Sequence, residues 1–241
     1  MTEKKVALVT GASKGIGRAI AMALAKQGVY VIVNYNGSWA KAEETCRLIE
    51  EKGGECECVQ FNVAKVEETT AALQECILKH GRLDILVNNA GGGVTIKDVR
   101  EFSVDEIDST IKLNLNSVIY GCRAFADMMM KQKRGTMINI SSVCARQCWP
   151  SWSVYAAAKA GVLNFSKGMY LEMQPYNVRV SCVVPSSAST GFQKACGIGE
   201  TTDKLMPEDI AETVLYIANL PERAVVEDVT VWGIDKEINP L

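Results

Sequence analysis

Histidine is almost missing from this chain: His80 is the one imidazole in 241 residues. The C-x-C at Cys56–Cys58 therefore has no histidine nearby, and small apolar residues alternating along a strand explain it better than a metal site. No metal is expected. Excess charge is missing as well. The formal balance is 26 − 28 = −2, with no long run of one sign, which argues against nucleic acid or an anionic membrane as the main partner. Long apolar runs are absent too, so no stretch suits a bilayer-spanning helix. Met1–Lys5 is polar and the apolar run after it stops at "TGASKG", so no secretory leader is expected. Nine cysteines without such a leader suggest reduced thiols in a cytoplasmic enzyme. Linkers, low-complexity segments and short repeats are lacking, which makes residues 1–241 one expected domain.

What is present is a rhythm. Apolar strand-type runs begin at "KVALVT" (Lys5–Thr10), "VYVIVNY" (Val29–Tyr35), "ECECVQF", "LDILVNNAG", "GTMINIS" (Gly135–Ser141), "VRVSCVV" and "AVVEDVTVWG". Between them lie segments of helical period, including Ile16–Gly28, a long helix over Phe102–Lys133, Ser153–Met173 and "PEDIAETVLYIANL". Alternation of this kind predicts an α/β fold: a doubly wound, Rossmann-like parallel sheet of about seven strands with helices on both faces. Ligands of such sheets bind at the carboxyl ends of the strands, so the loops after strands carry the function.

The first such loop, "VTGASKGIGRAI", sets Gly11, Gly15 and Gly17 between a strand and a helix start. Glycines there allow a tight turn and close approach of a pyrophosphate to free helix N–H groups. Well beyond the middle of the chain, "SVYAAAKAG" holds Tyr155 and Lys159 four apart, just over one helical turn, on one face. A nearby ammonium favours the phenolate, so the pair predicts a tyrosine acid/base working near neutral pH.

Together with "NNAG" (Asn88–Gly91), Asn114 in "LNLN" and Ser142 ending "ISS", these motifs make the chain resemble the short-chain dehydrogenase/reductase family over nearly its whole length. The Ser-to-Tyr gap of 13 matches the family. The resemblance implies a catalytic set of Asn114, Ser142, Tyr155 and Lys159. Tyr155 exchanges a proton with the carbonyl or alcohol oxygen, and Lys159 lowers the Tyr155 pKa and bonds the nicotinamide ribose. Ser142 bonds the substrate oxygen, and Asn114 holds a water that links Lys159 to solvent. It implies cofactor contacts at Gly11, Ser13, Lys14, Gly15, Ile16, Gly17, Asn34, Tyr35, Asn62, Val63, Asn89, Ala90, Gly91, Tyr155, Lys159, Pro185 and Thr190. Asn62 stands where the family commonly has Asp, and Pro185-Ser186 where Pro-Gly is usual. Because "VIVNYNGS" offers no acid to hold both ribose hydroxyls, and Lys14 can meet a 2′-phosphate, NADP is expected over NAD.

The substrate wall is expected to include Gly92, Gly93, Val94, Cys144, Gln147, Cys148, Trp149 and Trp152, beside Ser142 and Tyr155. Two tryptophans favour an apolar or aromatic carbonyl substrate, and Arg146 is the one cation placed to meet a carboxylate. The ending resembles the branch with 3-hydroxy acid dehydrogenases and sepiapterin-type reductases. A 3-oxoacyl-carrier-protein reductase is the rival within the family, with Lys131, Lys133 and Arg134 as a basic landing cluster. A non-catalytic NADP-binding regulator is the rival outside it. Surplus apolar residues on the two long helices (Phe125, Met128, Met129, Met130, Leu163, Phe165, Met169 and Met173) predict a homo-oligomer, most simply a homotetramer.

Overall fold

The computed structural model describes residues 4–92, 95–192, 196 and 205–234. Expectations for Gly93, Val94 and the rest of the 193–204 loop lie outside these residues. Strand-forming runs with no polar alternation become strands buried on both faces. In β1 (Val6–Val9), Ala7 and Val9 face one helical layer while Leu8 faces the other. In β2 (Tyr30–Tyr35), Val31 and Val33 oppose Ile32 in the same way. With β3 (Cys56–Gln60), β4 (Ile85–Asn88), β5 (Gly135–Ile140), β6 (Val178–Pro185) and β7 (Asp228–Val231), they form a seven-stranded sheet. Its order is β3-β2-β1-β4-β5-β6-β7 and every pairing is parallel.

The helices divide between the faces. On one side α1 (Gly15–Lys26), α2 (Trp39–Glu50) and α7 (Pro207–Ala218) bury Ile20, Leu24, Ile49, Ile210 and Val214. On the other, α3 (Val66–His80), α5 (Ser117–Gln132) and α6 (Ser153–Met173) bury Leu73, Phe125, Met129, Val162 and Met173. The helix expected over 102–133 is interrupted. A capping box of Ser103 and Glu106 starts α4 (Val104–Ile111), a π-helical turn occupies Lys112–Asn116, and α5 follows without a break. Such turns concentrate at functional sites.

Winding reverses at β1, whose neighbours are β2 on one side and β4 on the other. The chain leaves β1 and β4 in diverging directions there, and a crevice opens at their carboxyl ends. The loop after β1 and the loop after β4 are locked together across it. Thr10 Oγ1 accepts from the N–H groups of Asn89 and Ala90 at 2.9 and 3.0 Å, and Asn89 Nδ2 donates to Thr10 O at 2.9 Å.

Candidate active site

A cavity of about 970 Å³ fills this crevice and runs from the glycine loop to the start of α6. Two conformational facts shape its first wall. Gly11 sits at φ +63°, in the left-handed region that favours glycine. Gly17 has ordinary φ, but a Cβ there would lie 2.5 Å from both Gly11 O and Asn89 Nδ2. The loop is therefore packed against "NNAG" as closely as backbone allows. No side chain caps the N-terminus of α1, so its first N–H groups remain available to a ligand, and Ser13, Lys14, Gly15 and Ile16 all line the cavity there. A helix N-terminus with a glycine cradle fits a pyrophosphate, so these residues suit a dinucleotide.

Arg18 secures this wall from behind. Its guanidinium donates to Thr45 Oγ1 at 3.0 Å, to Ser13 O at 2.9 Å and to Glu44 at 2.7 Å. Asn34 does similar work: its Oδ1 accepts from Gly11 N–H at 3.0 Å, and its Nδ2 donates to Phe61 O at 3.1 Å. Asn34 touches the cavity but is buried, with both ends of its amide in use. Tyr35, expected at the cofactor, packs instead into the core against Trp39, because alternation along β2 turns it away. The exposed residues at this edge of the cavity are Asn36 and Gly37. Asn62 and Val63 line it further along, and Asn62 Oδ1 accepts from Ala64 N–H at 3.0 Å.

The opposite wall hangs on α6. Buried hydrogen bonds set the helix in place: Ser141 Oγ donates to Lys159 O at 2.8 Å and Lys159 Nζ donates to Ile140 O at 2.9 Å. Deeper, Asn88 Nδ2 donates to Asn139 Oδ1 at 2.8 Å, and Asn139 Nδ2 to Ser166 Oγ at 3.0 Å. The ends of β4 and β5 are thus tied to α6. Ser142, Tyr155 and Lys159 all line the cavity, with Lys159 Nζ 5.8 Å from the centre of the Tyr155 ring. Asn114 stands behind them, fully buried. Its Oδ1 accepts from Gly92 N–H and its Nδ2 donates to Gly92 O and Thr110 O, each at 3.0 Å. The π-helical turn aims this side chain at the loop after β4, so in this structure it shapes that loop.

Electrostatics differ from the expectation that Lys159 lowers the Tyr155 pKa. Burial pushes the Tyr155 hydroxyl above its usual range, and the nearby Cys144 adds to the rise. A hydrogen bond with Ser142 works the other way. Burial also lowers Lys159, to about 8.

Aromatic side chains close the remaining side. Trp152 meets Tyr155 edge-on at 5.8 Å between ring centres, and Phe192 lies 6.0 Å from it on another side. Cys144, Trp149 and Cys196 complete this part of the cavity, with Ile96 packed beside it. Gln147 and Cys148 do not line it. The short turn Val143–Ala145 carries the chain away from the cavity after Cys144. Arg146 is paired with Asp228, so it is not aimed at a substrate. Pro185 and Thr190 do line the cavity. Ser186 is no flaw in this turn: its N–H donates to Val231 O at 2.8 Å and its Oγ accepts from Gly233 N–H at 3.4 Å. The sequence motifs do not mark Phe192, Cys196 or Asn36 as contacts. "GFQKAC" carried the signal for the first two, an aromatic and a thiol four apart just after Thr190.

Residues 5–202 match the family model described as short chain dehydrogenase. A 3-oxoacyl-[acyl-carrier-protein] reductase of Synechocystis sp. is 36% identical over 230 residues, covering 92% of each chain. The 3beta-hydroxysteroid dehydrogenase 1 of Eggerthella lenta is 38% identical, covering 89% of this chain and 87% of that protein. Among solved structures, an alcohol dehydrogenase from the archaeon Thermococcus sibiricus complexed with 5-hydroxy-NADP superposes with a TM-score of 0.89 at 29% identity, covering 99% and 100% of the two chains. A metagenomic short-chain oxidoreductase in complex with NADP gives a TM-score of 0.85 at 31% identity, covering 96% and 98%. With the parallel sheet and its crevice, these matches make the chain an oxidoreductase of the short-chain dehydrogenase family.

Proposed function

We propose that this protein interconverts a ketone and a secondary alcohol with NADP(H), on an apolar or aromatic carbonyl substrate. The observation that carries the reading is one continuous cavity, with the glycine loop on one wall and Ser142, Tyr155 and Lys159 on the other. Gly11 to Gly17 and the start of α1 hold the pyrophosphate, and Lys14 meets the 2′-phosphate. Asn36 stands where an acid would reject that phosphate. The dinucleotide, when bound, supplies or takes the hydride. The residues manage the proton and the orientation. The Tyr155 hydroxyl gives its proton to the carbonyl oxygen in reduction and takes it back in oxidation. Ser142 Oγ donates a hydrogen bond to the same oxygen as charge develops on it. Lys159 holds the nicotinamide ribose, and Asn114 positions the loop after β4.

The aromatic side supports the substrate class: Trp149, Trp152 and Phe192 offer flat apolar surface, and Arg146 is engaged by Asp228. The rival, a 3-oxoacyl-carrier-protein reductase, draws support from the Synechocystis relative. Against it, the basic cluster of Lys131, Lys133 and Arg134 lies between the end of α5 and the start of β5. That is the amino edge of the sheet, opposite the cavity mouth, and far from where a carrier would deliver its acyl chain. A homo-oligomer fits α5 and α6, where Met128, Met130, Leu163 and Phe165 are only partly buried in one chain.

The test is loss of NADPH absorbance with a panel of aryl and cyclic ketones beside 3-oxoacyl thioesters, free and carrier-bound. Turnover of the ketones above the thioesters is expected. Preference for the carrier-bound thioester would replace the substrate assignment, and no turnover with any carbonyl would favour a regulator.

A further inference from the structure

The C-x-C that the active site leaves unused has a partner. Strand alternation sets Cys56 and Cys58 on one face of β3, opposite Val31 and Val33 of β2. That face is covered by α2, and α2 presents Cys46. The Cys46 and Cys58 sulfurs are 2.8 Å apart, and Cys56 Sγ lies 3.6 Å from Cys46 O. All three residues are part-buried. Packing alone would be met by alanine or valine; three converging thiols are a more specific arrangement. Among the described residues no group of three or more His, Cys, Asp or Glu is placed to hold a metal ion.

We propose that Cys46 and Cys58 are a reversible disulfide site that pins α2 to the edge strand β3. Its position links it to the cavity. Cys46 follows Thr45, which accepts from Arg18 Nε and reaches Ala12 O at 3.2 Å. Two residues beyond Cys58 on β3 is Gln60, whose Nε2 donates to Asn36 O at 3.1 Å. The bridge would therefore fasten two supports of the glycine loop and of the β2 end.

The oxidant is a small-molecule disulfide such as glutathione disulfide. The Cys58 thiol loses its proton to solvent and its thiolate attacks one glutathione sulfur. The glutathione S–S bond breaks, and one glutathione leaves as a thiol. The Cys46 thiol then loses its proton and attacks the Cys58 sulfur of the mixed disulfide, releasing the second glutathione. Two protein thiols are oxidised and one glutathione disulfide is reduced to two thiols. Burial raises Cys46, Cys56 and Cys58, with Cys46 also held protonated by its thiol neighbours. Glu43 and Glu50 from α2 and Glu57 from β3 add to the rise at Cys58. Exchange is consequently slow at neutral pH and faster as pH rises.

The experiment equilibrates the full chain in glutathione buffers of rising oxidised fraction at mildly alkaline pH. Acid quenching, thiol alkylation, peptide mapping and thermal melts follow. The expected result is a Cys46–Cys58 cross-linked peptide that disappears on reduction, with a melting midpoint about 5–10 °C higher in the oxidised form. Cys46→Ser and Cys58→Ser should each abolish both signals, and Cys56→Ser should keep them. Should a serine variant fold poorly, Cys58→Ala gives the same readout without adding a hydroxyl. Full alkylation of Cys46 and Cys58 in the most oxidising buffer would overturn the proposal. So would persistent glutathione adducts in place of the internal bond, or an unchanged midpoint shift in Cys58→Ser.

Discussion

The two walls of the cavity are built on different principles. The wall under the glycine loop is made by backbone: glycines, a helix N-terminus and amide side chains that bond to main chain. The wall around Tyr155 is made by side chains that arrive from three separate loops and a helix. Backbone geometry depends on a few residue types at fixed spacing, so it reads directly from sequence. Aromatic side chains meet only after the fold has closed, and their meeting has no spacing to read.

The sharpest way to break this comparison is to remove one atom. Tyr155→Phe keeps the ring, its contacts with Trp152 and Phe192, and the whole opposite wall. If the walls are separable, carbonyl turnover falls by about 10²–10⁴-fold, the usual worth of a positioned proton donor. Dinucleotide affinity, followed by fluorescence titration, should change by no more than about threefold, less than a single neutral hydrogen bond. A variant that keeps a tenth of its activity would remove Tyr155 from the proton route.

A second change addresses the cofactor wall. Asn34, among the expected cofactor contacts, is one position in "VIVNYNGS" where an acid could be introduced to select NAD. Asn34 is buried between Gly11 and Phe61, and an aspartate there would face three carbonyl oxygens with no N–H to offer them. Asn36, exposed at the cavity edge, is the better position. Lys14→Ala with Asn36→Asp should move preference from NADP(H) toward NAD(H) by about 10–100-fold, as one or two charge-assisted bonds to phosphate are lost. Ratios of kcat/KM for the two cofactors measure it. The same swap at Asn34 is expected to lower the melting point instead.

The difference between Asn34 and Asn36 also marks where the sequence stops being legible. The parallel sheet, its number of strands, the helices on both faces and every glycine of the first loop follow from pattern, since the pattern is what the backbone requires. The motif residues Ser142, Tyr155 and Lys159 fall in one cavity for the same reason: one strand end and one helix carry them. What stayed hidden depends on fine rotation. Tyr35 and Asn36 are neighbours, yet the first ends β2 and is buried while the second lies in the bend beyond it and is exposed. Gln147 and Trp149 are two apart, and a short turn after Ser142 removes only the first from the cavity. Phe192 is fixed by the path of a loop, which no period describes. The π-helical turn at Asn114 replaces what reads as a plain helical pattern.

Phe192 sharpens the comparison from the substrate side. Phe192→Ala removes one aromatic face beside Tyr155 without touching the glycine loop. KM for an aryl ketone should rise about tenfold, in line with a lost aromatic contact and some lost apolar area, while kcat falls less. An unchanged KM would take Phe192 off the substrate wall. A matching rise in the KM for NADPH would mean the two walls are not independent.

The smallest expected effect is the one place where the walls meet. Lys159 belongs to α6 but is proposed to bond the ribose. Burial lowers its pKa to about 8, so the ammonium dominates below that pH and the neutral amine above it. A charged donor bonds a hydroxyl more strongly than a neutral one, by about 1 kcal/mol, or about fivefold. Dinucleotide affinity should therefore be highest below pH 8 and decline by about that factor through pH 9. The group's effect on folding has the opposite sign. Between about 8 and the unfolded value near 10.4, the unfolded chain holds the proton that the folded chain has released, so its contribution to stability grows as pH rises. Cys144 and Cys182, the other titratable groups acting on Lys159, are both raised by burial. Tyr155 is raised as well. An affinity profile with its inflection near pH 8 in wild type, and flat but weaker in Lys159→Met, is the expected outcome. A flat wild-type profile would mean that the ammonium is not what holds the ribose.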